Sequence, residues 1–156
     1  MRVIKLFLIS VVFLFIAVTG VSLLIPSHIT ISKAINIRGE KESIFSAVRD
    51  RNQWYKWHPA FKSNSPVQAF DSIHIISQTE NDSEILMSLQ QNDKDPVING
   101  WKIFTHTNTD SLTLQWYMKF DLKWYPWKKL GSLFYENTYG VMMQEGLENL
   151  KGLTNY

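Results

Sequence analysis

The chain begins with an apolar run that few environments accommodate. From Leu6 to Ile25 there are twenty residues without a charged side chain, and about twenty helical residues span a hydrocarbon core of roughly 30 Å. Pro26 follows this run and predicts the end of the helix, because proline cannot continue the backbone hydrogen-bond ladder. The sequence therefore predicts a membrane anchor over residues 1–26 and a separate domain over residues 27–156.

A cleaved signal peptide is the alternative interpretation of the same run. It would have the same charged start and apolar centre, with Val18, Thr19 and Gly20 as small residues before the cut. The length of the run, which continues through residues 23–25, favours an anchor that is retained.

The formal net charge of +2 comes entirely from the residues in front of the apolar run. Arg2 and Lys5 are the charged residues before position 26, and the remainder of the chain balances 14 basic against 14 acidic side chains. A neutral domain excludes a broadly basic surface for nucleic acid. The two leading charges predict a single-pass topology with a cytoplasmic N-terminus and an extracytoplasmic domain, although Lys33 and Arg38 follow closely on the other side.

Hydrophobic periodicity predicts an α+β domain. Alternation with a period of two indicates five strands, at approximately 28–37, 69–79, 84–91, 97–107 and 111–121. Helical spacing indicates a short amphipathic helix over 40–48 and one long helix over 132–152. Short turns between consecutive strands imply an antiparallel meander, and one face of such a sheet must be buried against the long helix.

The two ends of the domain resemble a known family. Residues 50–59 read DRNQWYKWHP, and residues 126–134 read PWKKLGSLF and lead into EGLENLK at 145–151. This arrangement resembles the membrane-anchored bacterial branch of the SRPBCC superfamily, the START-like and polyketide cyclase-like helix-grip proteins. The resemblance implies a curved antiparallel sheet of about five to six strands that wraps around a long C-terminal helix. It also implies an apolar cavity between them, where the family typically binds lipids, sterols or other hydrophobic molecules.

The middle of the domain departs from that family pattern. Relatives carry a glycine- and aromatic-rich hairpin after the Trp-x-x-Trp region, and the segment 66–71 is too short for it. We therefore expect a smaller sheet and a cavity that is shallower or open on one side.

An apolar set on the inward face of the predicted strands and helices is the candidate ligand site. Methionine suits an irregular or ligand-filled interior, but the same pattern is equally typical of side chains that simply fill a core. Trp54 and Trp57, three residues apart, are in the same way either ligand contacts or structural anchors. The candidate ligand-binding residues are Trp54, Trp57, Ile103, Leu114, Trp116, Met118, Tyr139 and Met143.

The segment 123–129 is an aromatic and basic loop. Indole and phenol rings prefer the headgroup region of a bilayer, and lysine stems extend beside them. The candidate membrane-contact residues are Trp124, Tyr125, Trp127, Lys128 and Lys129. A packed connection with solvated lysines is the alternative interpretation.

The sequence contains no recognised catalytic motif. No two of the four histidines have the spacing of metal ligands, and no phosphate-binding glycine loop is present. We expect no metal, cofactor or nucleic-acid partner. The favoured interpretation is a membrane-tethered, non-catalytic domain that binds a lipid or other hydrophobic small molecule.

Two other functions stay open. One is a cyclase/dehydratase-like or hydrolase-like enzyme on the same fold, which would need polar residues such as His74 and His106 to converge in the cavity. The other is a structural or partner-binding module without a usable cavity.

Overall fold

The N-terminal apolar run is a single helix, α1 (Arg2–Ser22), in the computed structural model, which describes residues 2–62, 72–106 and 111–154. The helix is long and apolar enough to cross a membrane, and none of its most apolar stretch is buried against the domain. It ends before Pro26 because its last turn tightens: Leu24 N–H donates to Val21 O and Ile25 N–H to Ser22 O, both at 3.1 Å.

Five antiparallel strands form one curved sheet. Their order across the sheet is β1-β5-β4-β3-β2, so the first and last strands of the chain lie side by side. His28 at the start of β1 pairs with Asp121 at the end of β5. The strands are β1 (His28–Arg38), β2 (Ile73–Asn81), β3 (Glu84–Gln91), β4 (Val97–Thr105) and β5 (Ser111–Asp121).

Helices cover the inner face of this sheet. They are α2 (Lys41–Arg49), α3 (Trp54–Trp57), α4 (Pro126–Gly131) and α5 (Val141–Thr154). The predicted single helix over 132–152 was wrong in its bounds: the helical path starts at Pro126, passes through a 3-10 turn at 132–134 and a π turn at Glu136–Gly140, and only then becomes α5. Gly140 leaves room for the Lys33–Glu136 ion pair, because a Cβ there would lie 2.9 Å from Glu136 Oε1 and 3.1 Å from Lys33 Cε.

The α+β architecture with a five-stranded antiparallel sheet and a long C-terminal helix is confirmed. The described part of the second strand runs from Ile73 to Asn81, and positions 69–71 of its prediction lie outside the described residues. The short segment 66–71 and residue 107 lie outside the described residues.

Four tryptophans form the centre of the core. Trp54 and Trp57 come from α3, Trp101 from β4 and Trp116 from β5, and all four are fully buried. Trp101 and Trp116 are directly opposite in the strand register and stack at 5.5 Å, while the ring of Trp57 meets Trp116 edge-on at 5.7 Å. These rings join α3 to the middle of the sheet.

Buried indole N–H groups need acceptors, and three of the four have one. Trp54 donates to Val48 O at 2.7 Å, Trp57 to Ala47 O at 3.1 Å and Trp116 to Asn99 Oδ1 at 3.2 Å. The first two bonds tie α3 to the last turn of α2, which leaves the position of this short helix firmly determined.

Helix α5 approaches the same tryptophan cluster through a glycine. A Cβ at Gly146 would lie 2.8 Å from Trp116 Cζ3 and 3.2 Å from Pro59 Cδ. The glycine therefore allows the helix axis to come close to the sheet at this point, and the side chains of Met143, Leu147 and Leu150 complete the packing.

We predict that Gly146→Ala destabilises the protein whereas Gly152→Ala, in the same helix, does not. Overpacking against the confined Trp116 ring costs about 1–3 kcal/mol, which outweighs the gain in helix propensity. A Cβ at Gly152 meets nothing within 4 Å, so its replacement should stabilise by up to about 1 kcal/mol. Chemical denaturation of both full-length variants in the same detergent measures the difference, and equal shifts of the two midpoints would contradict the packing argument.

We also predict a loss of stability on mild acidification that originates from His58. This side chain is 5% exposed, lies among Trp54, Trp57 and Phe61, and accepts the Ala60 N–H on Nδ1 at 3.2 Å. Burial lowers the pKa of His58 to about 3. In the unfolded chain this histidine has an ordinary pKa of about 6.5, so below that pH the unfolded state binds a proton that the folded state does not bind. The free energy of unfolding therefore falls by about 2 kcal/mol between about pH 7 and pH 5.

The matched control for this pH dependence is His58→Asn. An asparagine keeps an acceptor for the Ala60 N–H but does not titrate. Its unfolding free energy should lose this part of the decline between the two pH values, measured by denaturant titration. An identical decline in both proteins would assign the pH dependence to other groups.

Candidate functional site: a pocket at the anchor end of the sheet

An open pocket lies between the sheet and the start of the C-terminal helical segment, at the end of the domain near the anchor. It has a volume of about 460 Å³, within the range of small-molecule sites. One wall is the turn before β4 with Val97, and the other is the end of β5 with the loop that leads into α4. Because β1 starts beside the end of β5, and Leu122 N–H donates to Ser27 O at 2.8 Å, this is also the end of the domain to which α1 is attached.

The floor of the pocket is aromatic. Phe120 lies 4.8 Å from both Tyr135 and Tyr139, and the two tyrosine rings are 5.2 Å apart. Burial, with a smaller effect from neighbouring Tyr135, raises the pKa of Tyr139. Its phenol is therefore neutral at physiological pH, and it offers an apolar ring surface rather than a base.

The mouth of the pocket is crossed by an ionic latch, which we define as Asp95 with Lys123 and Lys128. Asp95 lies on the turn before β4, and its two carboxylate oxygens accept hydrogen bonds from the lysine ammonium groups, which lie on the opposite wall. These two hydrogen bonds lower the pKa of Asp95 to about 2. The carboxylate is therefore ionised at neutral pH.

The backbone before α4 has an unusual conformation next to this latch. Lys123 has a φ of +54°, in the left-handed region, and its N–H donates to Asp121 Oδ1 at 3.0 Å. The rings of Trp124, Tyr125 and Trp127 then succeed one another at 5.0 and 5.2 Å. Lys128 lies with its ammonium 5.2 Å from the centre of the Tyr125 ring, a cation–π distance.

Most of the predicted ligand-binding residues lie in the packed core rather than at the pocket. Six of the eight are at most 4% exposed and surround the tryptophan cluster: Trp54, Trp57, Ile103, Leu114, Trp116 and Met143. Met118 is 7% exposed on the same strand. Tyr139 is the one that lines the pocket. The space that the sequence pattern marks as inward-facing is therefore occupied largely by the protein's own indoles.

The predicted membrane-contact residues are brought together, with one exception. Trp124 is 70% and Trp127 59% exposed, and Tyr125, Trp127 and Lys128 also line the pocket. Lys129 differs from the expectation of a solvated lysine: it is 6% exposed, on the side of α4 that carries the buried Pro126.

The two histidines that a catalytic interpretation requires do not meet. His74 is on the edge strand β2 and His106 follows β4, with β3 between these strands. His106 instead contacts Thr113 Oγ1 at 2.8 Å and is exposed. Within residues 2–62, 72–106 and 111–154 there is also no group of three or more potential metal-binding side chains.

Sequence reasoning missed several residues that the structure places at the anchor end. Asp95 and Phe120 belong to the pocket, and Leu133 and Phe134 are 63% and 67% exposed immediately after α4. The segment SLF at 132–134 falls inside the predicted helix over 132–152, and no role was predicted for its two large apolar residues. Phe134 follows Trp127 at the i+7 position, and that spacing is the signal for an exposed face shared with Trp127.

Comparison of the fold with solved structures gives distant but extensive matches. A hypothetical protein from Helicobacter pylori matches with a TM-score of 0.56 and 11% identity, over 81% of this chain and 88% of that one. A START superfamily protein from Mycobacterium smegmatis matches with a TM-score of 0.53 and 17% identity, over 80% and 96% of the two chains. The ZhuI aromatase/cyclase from a Streptomyces species matches with a TM-score of 0.50 and 9% identity, over 80% and 92%.

No protein-family model and no curated protein matches the sequence. The identities to the solved structures are low, so these structures establish the architecture alone. The sheet order, the long C-terminal helix and the matches to both a START protein and an aromatase/cyclase agree on one conclusion. The chain shares the fold of the START superfamily protein and of the aromatase/cyclase.

Proposed function

We propose that this protein is a membrane-tethered domain that binds a lipid or other hydrophobic small molecule without chemical conversion. The observation that carries the proposal is the position of the pocket: it has an aromatic floor and opens at the end of the domain from which α1 emerges. In this proposal α1 spans the bilayer once, residues 27–156 form the binding domain, and Arg2 and Lys5 keep the N-terminus in the cytoplasm.

In this proposal the ligand contacts residues of the pocket rather than those of the tryptophan cluster. Apolar contact with Phe120, Tyr135 and Tyr139 supplies affinity at about 25 cal/mol per Å² of buried apolar surface. The rim combines three acidic and three basic side chains, so it adds little net charge. The acidic ones are Asp93, Asp95 and Asp121, and the basic ones are Lys94, Lys123 and Lys128. Such a pocket suits an amphiphile whose apolar part enters and whose polar end stays at the rim.

Non-catalytic binding is favoured over a cyclase-like or hydrolase-like activity. General acid–base chemistry needs groups within hydrogen-bond reach of the reacting atoms. The carboxylate at the mouth, Asp95, is engaged by two lysines, and the tyrosine Tyr139 has a raised pKa. His58, although buried, is enclosed by aromatic rings in the core rather than exposed to the pocket.

We predict that a photoreactive fatty acid labels this pocket. Full-length protein in nanodiscs containing a mid-chain diazirine analogue of palmitic acid is irradiated, digested and mapped by mass spectrometry. Labels in α1 are expected wherever the helix lies in the bilayer, and labels on the segments of Phe120 and of Tyr135–Tyr139 report the pocket. Labelling confined to residues 2–22 would overturn the proposed ligand binding while leaving the tether intact.

The variant for this experiment is Val97→Phe, which places a ring in the pocket wall. We expect pocket labelling to fall several-fold, because the added ring occupies the space of the acyl chain. Val141→Phe is the matched control, since Val141 is 63% exposed and lies outside this pocket. Its pocket labelling should equal that of the unmodified protein.

A further prediction concerns the ionic latch. Asp95→Asn removes the carboxylate that joins the two walls, so hydrogen exchange of the backbone amides at 93–97 and 123–128 should become faster, and uptake of the fatty acid should become faster with it. Asp93→Asn is the control, because Asp93 lines the same pocket but makes no ion pair among the described residues. Equal exchange rates in the two variants would contradict a latch across the mouth.

A further inference from the structure

The anchor end of the domain carries an exposed apolar surface that the pocket does not explain. We name it the α4 face and define it by Leu23, Leu24, Trp124, Trp127, Leu133 and Phe134. All six are between 59% and 84% exposed. Isolated exposed apolar residues are ordinary, but large aromatic and aliphatic side chains gathered on one surface mark an interaction site.

These residues are connected in space as well as in composition. Trp124 and Trp127 are joined through the ring of Tyr125 at 5.0 and 5.2 Å. Trp127 and Phe134 follow on one continuous helical path at positions i and i+7, which share a side of an α-helix, and Leu133 is the exposed neighbour of Phe134. Leu23 and Leu24 come directly after α1, and α1 contacts α4.

We propose that the α4 face lies on the surface of the same bilayer that α1 crosses. The proposal rests on the tethered topology of the proposed function. The occupant follows from the chain itself: a helix long and apolar enough to span a membrane ends at Ser22, beside α4. Any membrane that contains α1 therefore lies next to α4, which carries Trp127 and is flanked in the chain by Trp124, Leu133 and Phe134.

The contact depends on apolar and aromatic groups rather than on positive charge. Lys123 and Lys128 are both committed to Asp95, and Lys129 is buried. The sequence suggests these lysines for anionic headgroups, but Lys123 and Lys128 lie on a pocket rim where three acidic side chains balance three basic ones, and Lys129 is covered. Tryptophan, by contrast, prefers the interfacial region of a bilayer irrespective of headgroup charge. The α4 face should accordingly bind neutral and anionic bilayers alike.

Contact of the α4 face with the bilayer also determines where the pocket opens. Trp127 belongs both to the α4 face and to the pocket lining. With Trp127 in the interface, the mouth meets the headgroup layer, and an amphiphile can pass between bilayer and pocket without crossing bulk water.

The distribution of tryptophan makes this proposal directly measurable. The chain has six tryptophans and none in α1. Four are fully buried in the core, and the other two, Trp124 and Trp127, belong to the α4 face. Quenching of tryptophan emission by a quencher located in the bilayer therefore reports this face alone.

The experiment uses full-length protein in phosphatidylcholine vesicles whose acyl chains carry bromine near the headgroup or near the chain end. We expect quenching of up to about a third of the emission, the share of two tryptophans in six, with the shallow bromines more effective. Replacing part of the lipid by phosphatidylglycerol should leave quenching unchanged. Trp124→Phe combined with Trp127→Phe should abolish quenching, since only core indoles remain.

A second variant tests the bilayer contact of the α4 face without removing the two tryptophans that report it. Leu133→Asp with Phe134→Asp keeps both reporting indoles but places charges on the α4 face, so lipid quenching should fall several-fold and quenching by aqueous acrylamide should rise. Leu153→Asp is the control, because Leu153 is an exposed leucine at the far end of α5, outside the α4 face. It should behave like the unmodified protein.

Vesicle flotation distinguishes failure of the membrane tether from failure of the contact between the α4 face and the bilayer. If the protein floats with vesicles but its tryptophan emission is quenched by acrylamide and not by bromolipid, the proposed contact of the α4 face with the bilayer is overturned, while the tether is retained. A chain that does not float would overturn the tether on which both proposals rest. Quenching that appears only with phosphatidylglycerol would overturn the charge-independent contact.

Discussion

The packing of Trp116 against Gly146 is the contact on which the rest of this structure depends. It allows α5 to lie close to the middle of the sheet, and it holds the ring that Trp57 and Trp101 pack against. Because interiors are packed as densely as molecular crystals, four indoles at this point leave little space between sheet and helix. The open volume is displaced toward the end of the sheet, where the helical path has not yet become α5.

That displacement explains why the helical segment changes character along its length. From Val141 onward it is a regular α-helix that packs on the tryptophans, whereas the preceding turns are 3-10 and π. The π turn directs Tyr139 toward Phe120 beside Tyr135, and the Lys33–Glu136 ion pair attaches this turn to β1. Irregular turns of this kind are frequent at functional sites, and here they form the floor of the pocket.

The sequence allowed the fold to be predicted well because period and turn chemistry are local properties. The alternation in 111–121 and the helical spacing in 40–48 depend on neighbours in the chain, and the structure has a strand over the first and α2 over most of the second. The location of the pocket is different in kind. An inward-facing Leu114 or Trp116 has the same pattern whether it fills a core or lines a cavity, and only the summed volume of side chains from separate elements decides between them. The pairing of Asp95 with lysines some thirty residues away is likewise a tertiary property that no spacing rule contains.

The difference between local and tertiary properties also applies to the charge of the segment 123–129. A loop with three lysines beside two tryptophans predicts attraction to anionic lipid when each lysine is counted as free, at about 1 kcal/mol each. Folding changes that count, because Lys123 and Lys128 share Asp95 on a rim where three acidic side chains balance three basic ones, and Lys129 is buried. The most exposed large side chains beside the anchor are apolar. A domain of zero net charge, whose local basic side chains are balanced by carboxylates on the same rim, is therefore suited to a bilayer contact in which the depth of two indole rings matters more than the charge of the lipid.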